Sequence, residues 1–549
     1  MADCCFRQDR KDRAKPQRVT KLRLLPSFFV ALRENLITCR KIKDLKKIVL
    51  FGAGKSASVL IDYLLGQATG NNWKIIVADA NKKLIEEKTK HHPASETVEL
   101  DIKNETKRGE LIAQADIVIS MMPPALHILI AKDCIDHGKN LLTASYADDE
   151  IKSLQKTVED KGILFLCEMG LDPGIDHMSA MQLLDEIKAS GAVVNSFKSH
   201  CGGLVAPESD DNPWHYKITW NPRNIVLAGK SGAVYKQDGD LITEKYETLF
   251  DADRKVITGN DEVPVLSYYP NRNSLPYIEM YGLQEAKTFI RTTLRYPDFM
   301  YGWKNVIDLK LTDETPEYET DGKTLHEFFK EHLDKNGFGD WLQEKLTERF
   351  AQTKSLLENL MKIMEAEEEV KLEGEEPVHN FMLVDEGGGL KNIELDDVKD
   401  MAAGTVAAKM HEANLILKQL FYLGMDDTET MINKGKCAAA DVLQLALEQK
   451  LVLKTTDKDM IVMLHEIEYT VNGKTNSIHS SLVVKGDDNI HTAMAKTVGL
   501  PLGIAAKLIL NGEISITGLH IPVIKEIYEP VLAELKKHAV EFVETRSSL

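Results

Sequence analysis

Hydrophobic and polar positions follow a repeating pattern from Lys47 onward. Short apolar runs rich in β-branched residues are separated by segments of helical length, as in βαβ units whose parallel strands are buried on both faces. The runs are IVLFG (48–52), KIIVAD (74–79), TVELD (97–101), DIVISMM (116–122), NLLTASY (140–146) and ILFLCEMG (163–170). This pattern predicts an α/β fold that begins with a doubly wound parallel sheet.

Later segments have different patterns. Three stretches between 325 and 364 (LHEFFKEHL, WLQEKLTERF and SLLENLMKIM) have helical periodicity, and 365–376 is strongly acidic. Apolar and polar residues alternate across 460–486 on both sides of Asn472-Gly473, which predicts a β-hairpin. The Ala- and Leu-rich segment AMAKTVGLPLGIAAKLIL (493–510) predicts a helix that is interrupted at Pro501.

Composition and charge exclude several classes of protein. With 549 residues, 43% hydrophobic and 28% charged, the chain has enough material for more than one core. The formal net charge is −17, and basic residues form no long stripe beyond the first 47 positions, so we expect no nucleic-acid partner. No apolar run approaches the roughly 20 residues of a membrane span, so we expect no membrane partner.

The cysteines and the N-terminus bear on localisation. The seven cysteines are sparse and lie in no metal-ligand spacing, which predicts a reducing compartment and no metal site. The first 40 residues are Arg-rich, as in a mitochondrial presequence, but they also carry Asp3, Asp9, Asp12 and Glu34. We therefore predict a cytoplasmic protein, with the presequence as the disfavoured alternative.

The first apolar run ends in a glycine turn. Gly52, Gly54 and Ala57 form G-x-G-x-x-A between a strand and a helical pattern, which suits a pyrophosphate at a helix N-terminus. The second run ends in Asp79, where an acidic residue binds ribose hydroxyls and repels a 2′-phosphate, which favours NAD over NADP. The alternative is an ordinary strand-to-helix turn with Asp79 as a surface cap.

Two further regions are candidates for a binding site. In EMGLDPGIDHMSA (168–180) the sequence Asp172-Pro-Gly predicts a tight turn and Asp176 a helix N-cap. Farther along, Arg272, Arg291 and Arg295 lie among aromatic residues. Guanidinium groups bind carboxylates bidentately and stack on rings, so these arginines are candidate anchors for an anionic ligand, although a single solvated arginine is the commoner situation.

Longer motifs carry a specific resemblance. TASY, EMGLDPGIDHMSA, CGGLVAPESDDNP, YKITWNPR, YPNRNS, IRTTLRY, KDMIVMLHE and AMAKTVGLPLGIAAKLIL occur here in the order found in saccharopine dehydrogenase (glutamate-forming), also called saccharopine reductase. The similarity spans roughly residues 46 to 310 and 435 to 540. Val205 stands where the family often has proline, and ADANKK (78–83) stands where NADP-dependent relatives carry arginine, so Lys82 or Lys83 is left to meet a phosphate.

The resemblance implies an architecture. It comprises a Rossmann-type doubly wound parallel sheet, a second α+β domain for substrate binding and dimerisation, and a helical insertion. The expected ranges are a disordered extension (1–45), a Rossmann domain (46–172) completed by a C-terminal helix (about 490–549), a substrate domain (173–324 and 435–489) and a helical insertion with an acidic linker (325–434).

The resemblance also implies an activity. Members oxidise saccharopine reversibly with NAD(P) and water to L-glutamate and 2-aminoadipate 6-semialdehyde, in lysine metabolism by the aminoadipate route. We therefore expect an oxidoreductase that acts on a CH–NH group, uses a small-molecule substrate and is compatible with a homodimer. The alternatives are a related carboxynorspermidine- or homospermidine-type dehydrogenase and a non-catalytic NAD-binding regulatory subunit. The physiological direction, synthesis or breakdown of lysine, is left open.

The resemblance assigns roles to individual residues, and the strand ends, Arg272 and Arg295 chosen above fall among them. Cofactor contacts are expected at Gly52, Ala53, Gly54, Lys55, Asp79, Asp101, Met122, Ala144, Ser145 and Asn221. Substrate contacts are expected at Ser145, Tyr146, Asp172, Arg272, Thr293, Leu294 and Arg295. Asp172 and Tyr146 are the candidates for catalytic proton transfer.

Overall fold

The computed structural model describes residues 45–251, 254–341, 411–412 and 414–548, isolated positions between 343 and 361, and the backbone of the strand pair Asn380–Val384 and Leu390–Glu394. The predicted extension, apart from Leu45, and the acidic segment 365–376 lie outside the described residues. The chain from Lys46 onward forms one unit, which contains every predicted site residue.

A parallel sheet is built mainly from the first apolar runs. Its seven strands within the described residues are β1 (Lys46–Phe51), β2 (Trp73–Asp79), β3 (Ser95–Glu99), β4 (Ile117–Ser120), β5 (Asn140–Thr143), β6 (Leu164–Leu166) and, from far along the chain, β20 (Gly518–His520). Their order is β20–β6–β5–β4–β1–β2–β3. The direction of winding reverses between β1 and β4, and ligands of such sheets bind in the crevice at that point.

Helices cover both faces of this sheet, and together with it they are called the first lobe. They are α1 (Ser58–Asn71), α2 (Lys82–Thr89), α3 (Glu105–Ala113), α4 (His127–His137), α5 (Asp149–Lys152) and α6 (Gln155–Asp160). Ile48 and Leu50 of β1 belong to one apolar cluster, whereas Val49 and Phe51 belong to another. Because alternate side chains enter opposite cores, the strand reads as a continuous apolar run.

A mixed sheet forms the centre of the second lobe. Its ten strands within the described residues are β7 (Val193–Val205), β8 (Ala233–Gln237), β9 (Asp240–Glu244), β10 (Lys255–Ile257), β11 (Val265–Pro270), β12 (Arg272–Asn273), β13 (Thr288–Arg295), β18 (Asp459–Val471), β19 (Lys474–Lys485) and β21 (Val543–Ser548). The order is β10–β11–β13–β7–β18–β19–β21, with β12, β8 and β9 beside β13. The hairpin prediction is confirmed: β18 and β19 are joined by Asn472 and Gly473, both at positive φ.

Helices and short strands complete the described part of the second lobe. They are α7 (Ile175–Ala189), α8 (Pro222–Val226), α9 (Leu275–Met280), α10 (Pro297–Asp308), β14 (Tyr318–Glu319), α11 (Leu325–Lys335), β15 (Asn380–Val384), β16 (Leu390–Glu394), β17 (Lys436–Cys437) and α12 (Ala439–Lys450). Helix α11 is the predicted LHEFFKEHL helix, and a capping box between Thr324 and Glu327 fixes its start.

The chain returns to the first lobe near its C-terminus through α13 (Ala493–Leu510), β20 and α14 (Lys525–Lys536). The predicted interruption at Pro501 is wrong, because α13 is continuous through it. A Cβ on Gly499 would lie 2.9 Å from the backbone nitrogen of Leu60, and one on Gly503 would lie 2.6 Å from Cδ1 of Tyr63. This close packing on α1 holds the helix together where proline removes a backbone hydrogen bond.

Within the described residues, α13 is the one helix that is long and apolar enough to cross a membrane. Of its residues, 72% are buried inside the molecule, as expected of a core helix. The predicted fold class, a doubly wound parallel sheet followed by a second mixed α+β part, is confirmed. The division into domains stays a prediction.

Candidate active site

The glycine turn begins the site at the carboxyl end of β1. Gly52 has a φ of +98°, and a Cβ there would lie 2.9 Å from the carbonyl oxygen of Met121, so the position requires glycine. The Gly52 N–H donates to the carbonyl of Ala78, which fixes the turn against β2. Gly54 and Lys55 are exposed and lead through a 3₁₀ turn (Lys55–Ala57) into α1. This arrangement fits the diphosphate of a dinucleotide.

Asp79 closes the same turn from β2. Its Oδ2 accepts the N–H of Ala53 at 2.8 Å, and its Oδ1 accepts the N–H of Asn81 at 2.9 Å. The ammonium group of Lys88 donates to the carbonyl of Gly54. Burial lowers the pKa of Lys88 to about 8, although Asp79 and Asp62 oppose the shift. Both oxygens of Asp79 are therefore already bound to backbone N–H groups.

A cavity of about 120 Å³ lies beyond the ends of β1 to β4. It brings together three predicted cofactor residues, Asp79, Asp101 and Met122. The remaining lining residues are Phe51, Ala78, Ala80, Leu100 and Ile102. An apolar cavity with two carboxylates at its rim, beside the glycine turn, suits the adenosine end of a dinucleotide.

A buried histidine orients Ser145 after β5. Nδ1 of His127 lies 2.8 Å from Oγ of Ser120, and Nε2 lies 2.8 Å from Oγ of Ser145. Burial lowers the pKa of His127 to about 4 against a weaker opposing effect of Asp148, so the ring is neutral at physiological pH. In the tautomer with its hydrogen on Nε2, His127 donates to Ser145, and the hydroxyl hydrogen of Ser145 is then available to a ligand. Ala144 packs beside this position against the turn that contains Gly170.

The two candidate catalytic residues lie together. The Tyr146 hydroxyl donates to Oδ1 of Asp172 at 3.4 Å. Nη2 of Arg291 donates to Asp172 and to Asp176, both at 2.6 Å. The prediction of Arg291 as a ligand anchor is therefore wrong, because two carboxylates use its guanidinium. Asp176 is also not the N-cap of α7; that position is Gly174, whose N–H donates to Oδ1 of Asp176.

Two carboxylates that share one cation have different pKa values. Burial raises the pKa of Asp172 more than Arg291 lowers it. Burial also acts to raise the pKa of Asp176, but His177 and Arg291 outweigh it, and the pKa is lowered. Of the two carboxylates, Asp172 is therefore the one that is more readily protonated. Burial raises the pKa of Tyr146 well above its usual value, so this phenol stays protonated.

The other two arginines have different surroundings. Arg272 is exposed, has a φ of +54° and lies over the ring of Tyr146, with Cζ 5.3 Å from the centroid. Arg295 is only 5% exposed and is stacked on Tyr216 and Phe299. Among the described residues it forms no ion pair: Nη1 donates to the carbonyl of Leu294, and Nε has no partner. A buried guanidinium in this state suits a ligand carboxylate.

The remaining predicted residues are placed less directly. Thr293 is half-buried on β13. The side chain of Leu294 is fully buried in an apolar cluster with Leu204 and Val462, so its predicted substrate contact is limited to the backbone. Asn221 caps α8, with its side-chain oxygen accepting the N–H of Arg223.

Three residues of the site were not predicted. Glu168 and His177 lie within the motif EMGLDPGIDHMSA, and His127 lies five positions after the apolar run DIVISMM (116–122). Their roles depend on contacts between separate parts of the chain. Glu168 contacts both Ala147 and His177, and His177 contacts Tyr281. The available signal in the sequence is the position of Glu168 just after an apolar strand, and it does not extend to the two histidines.

Two family models together match nearly all of the chain from β1 onward. Residues 48–166 match the saccharopine dehydrogenase NADP binding domain, and residues 170–540 match the saccharopine dehydrogenase C-terminal domain. This chain belongs to the saccharopine dehydrogenase family. The resemblance stated from the sequence motifs is thereby confirmed.

Individual members of the family show two lengths. The chain is 32% identical over 530 residues to alpha-aminoadipic semialdehyde synthase, mitochondrial, of Bos taurus, covering 95% of this chain and 50% of that protein. It is 30% identical over 496 residues to saccharopine dehydrogenase [NADP(+), L-glutamate-forming] of Saccharomyces cerevisiae, covering 89% of this chain and 97% of the yeast protein. The chain therefore spans about half the length of the synthases it matches.

A solved structure of the family has the same fold. The apo histidine-tagged saccharopine dehydrogenase (L-Glu forming) from Saccharomyces cerevisiae superposes with a TM-score of 0.70 at 26% identity, covering 91% of this chain and 100% of that chain.

The comparisons overturn the prediction that NAD is favoured over NADP. The matching N-terminal model is described as NADP binding, and the fungal relatives are named as NADP(+) enzymes. The sequence argument took Asp79 to be available to a ribose and repulsive to a 2′-phosphate. In the structure its two oxygens accept the N–H groups of Ala53 and Asn81, so Asp79 acts as a residue that closes the turn.

Proposed function

We propose that this protein catalyses the reversible NADP-dependent oxidation of saccharopine to L-glutamate and 2-aminoadipate 6-semialdehyde, a reaction of lysine metabolism. Family membership and the names of the fungal relatives support the proposal. The observation that carries it is the meeting of Tyr146, from the end of β5, with Asp172 and Arg272. Asp172, as the proton carrier, and Arg272, as the cation, thereby lie near the carboxyl end of the parallel sheet, where the nucleotide is expected to bind.

Saccharopine carries three carboxylates and one secondary amine. The buried Arg295 and the exposed Arg272 are suited to two of the carboxylates, because guanidinium groups bind carboxylates in a bidentate way. Ser145, held by His127, offers a hydroxyl donor nearby. Because Arg291 is neutralised by two aspartates, it holds the proton carrier in place and does not bind substrate.

The chemistry requires proton transfers at the amine. A bound NADP⁺ would supply the acceptor for hydride from the carbon beside the secondary amine, and water would then hydrolyse the resulting C=N bond. Asp172 takes the proton from the protonated secondary amine of the substrate, and this makes hydride loss from the neighbouring carbon possible. It then returns a proton to the same nitrogen, which leaves as the amino group of glutamate. Tyr146 remains protonated and orients Asp172 through its hydroxyl.

The two alternative functions predict different behaviour. A polyamine-type dehydrogenase needs a cationic substrate, which a buried arginine such as Arg295 repels. A regulatory subunit binds cofactor without turnover.

Cytoplasmic localisation, a homodimer and the lack of nucleic-acid or membrane partners stay predictions, to be tested by fractionation, light scattering and binding assays.

The purified protein tests the proposal through the absorbance of reduced nicotinamide. Saccharopine with NADP⁺ should produce the signal, whereas a carboxylated polyamine should not. Asp172→Asn should abolish most turnover while the affinity for NADP⁺, measured by fluorescence quenching, stays within about twofold of wild type. Cofactor binding without any saccharopine-dependent signal in the wild type would overturn the proposal in favour of the regulatory alternative.

A further inference from the structure

Glu168 is bonded to the backbone on both sides of Tyr146. Its Oε1 accepts the N–H of Ala147 at 3.2 Å, and its own N–H donates to the carbonyl of Ser145 at 3.0 Å. Glu168 follows β6, is buried and has a φ of +58°, a conformation that a residue with a side chain seldom adopts. Residues in such conformations cluster at functional sites because the surrounding structure must hold them there.

The second carboxylate oxygen of Glu168 leads to the other lobe. Oε2 lies 2.9 Å from Nε2 of His177, and Nδ1 of His177 lies 2.5 Å from the hydroxyl of Tyr281. Both rings are buried. The Tyr277 ring stacks on His177 with centroids 5.3 Å apart, and the guanidinium of Arg291 lies 4.3 Å from the Tyr277 centroid. These contacts therefore run from Glu168 through His177 and Tyr277 to the guanidinium of Arg291, which binds Asp172.

The donors and acceptors of this chain are matched. A carboxylate only accepts hydrogen bonds, so Nε2 of His177 carries a hydrogen and donates to Glu168. The Tyr281 hydroxyl can donate or accept, so it pairs with Nδ1 whether or not that nitrogen carries a hydrogen. Since each of these buried groups has a partner, the position of the Glu168 carboxylate is fixed, and so is the backbone that it binds.

We propose that Glu168 is a positioning residue for the reaction: it holds the segment Ser145–Ala147 so that the Tyr146 hydroxyl faces Asp172, and His177 and Tyr281 hold Glu168 in turn. This inference rests on the proposed function. It assigns Glu168 no contact with substrate. Its role is to keep the proton carrier and its phenol partner within hydrogen-bonding distance.

Two substitutions of Glu168 separate positioning from simple burial. Glu168→Ala removes the acceptor for both Ala147 and His177, and we expect kcat to fall on the order of 100-fold, as for a displacement of about 1 Å at a reacting centre. Glu168→Gln keeps an oxygen that accepts the N–H of Ala147. Its amide N–H group can donate to Nε2 of His177 when the hydrogen of the ring lies on Nδ1. We expect Gln to restore kcat to within roughly fivefold of wild type and the KM for NADP⁺ to change by no more than about twofold in either variant.

Tyr281 provides a coupled test. In Glu168→Gln, Nδ1 of His177 carries the hydrogen and must donate to the Tyr281 oxygen. Tyr281→Phe removes that oxygen, so the double variant leaves a buried N–H without this partner. We therefore expect the double variant to lose more kcat than the product of the two single losses. This measurement does not require Glu168→Ala to fold.

Asp133→Asn is the matched control. Asp133 is a buried carboxylate of the first lobe paired with Arg108 at 2.7 Å, on helix α4. We expect this variant to lower the unfolding temperature without changing kcat. Glu168→Ala with kcat within about threefold of wild type, or independent effects of Glu168→Gln and Tyr281→Phe, would overturn the inference. Failure of the wild type to oxidise saccharopine would instead overturn the proposed function.

Discussion

Acidification should destabilise the first lobe through His127. The ring is buried between Ser120 and Ser145, and burial lowers its pKa from 6.5 to about 4. The neutral ring is therefore preferred in the folded state. Its contribution to stability is complete above the unfolded pKa of 6.5 and is lost as the pH falls toward the folded pKa of about 4.

The size of the effect follows from these two values. Linkage gives a total of about 3 kcal/mol, of which about 2 kcal/mol is lost between about pH 7.5 and about pH 5. For a lobe of this size, 2 kcal/mol corresponds to a change of roughly 4–8 °C in Tm. His127→Gln removes the titrating group and retains an N–H for Ser145. On acidification, the Tm of this variant should therefore fall by roughly 4–8 °C less than the Tm of the wild type.

The assay is thermal unfolding of both proteins at the two pH values. His137→Gln is the control, because His137 is an exposed residue at the other end of the same helix, and it should behave like the wild type. Other buried histidines contribute equally to all three proteins and cancel in the comparison. An equal loss of Tm in His127→Gln and wild type would refute the reasoning.

Three further predictions concern substrate, catalysis and packing. Arg295→Lys should raise the KM for saccharopine about 10- to 100-fold and leave the KM for NADP⁺ unchanged, because lysine lacks the bidentate fork; steady-state kinetics measures both, and an unchanged saccharopine KM would remove Arg295 from the site. Asp172→Asn should lower kcat on the order of 10²- to 10⁴-fold, and single-turnover rates that match the wild type would contradict its role. Gly503→Val should destabilise the fold by about 1–3 kcal/mol, since even a Cβ would lie 2.6 Å from Tyr63; calorimetry measures the effect, and an unchanged Tm would show that α13 adjusts.

Much of the first lobe could be predicted because its information is local. Each apolar run overlaps a strand. The run TVELD is displaced relative to β3 (Ser95–Glu99), and the last three runs extend beyond β4 (Ile117–Ser120), β5 (Asn140–Thr143) and β6 (Leu164–Leu166). Strand β20 was not predicted. It has three residues and pairs with β6, more than 300 positions earlier in the chain, so no local pattern distinguishes it from a loop.

The site was predictable as a set of positions but not as a set of bonds. Asp172 and Arg272 were identified from their motifs, and the structure places both at Tyr146. Arg291 was grouped with the ligand anchors because its neighbours in sequence are like theirs. Its actual partners, Asp172 and Asp176, lie 119 and 115 positions away. Such pairing sets the chemistry of a guanidinium, and a single sequence does not contain it.

The return of the C-terminal segment has a consequence for dissecting the molecule. A fragment that ends after β6 would present a bare strand edge where β20 belongs, and an apolar surface on α1 where Gly499 and Gly503 of α13 pack. Expressed alone, such a fragment should aggregate. The nucleotide-binding half is assembled from two distant pieces of chain, so we expect residues 490–549, supplied as a separate peptide, to restore its solubility.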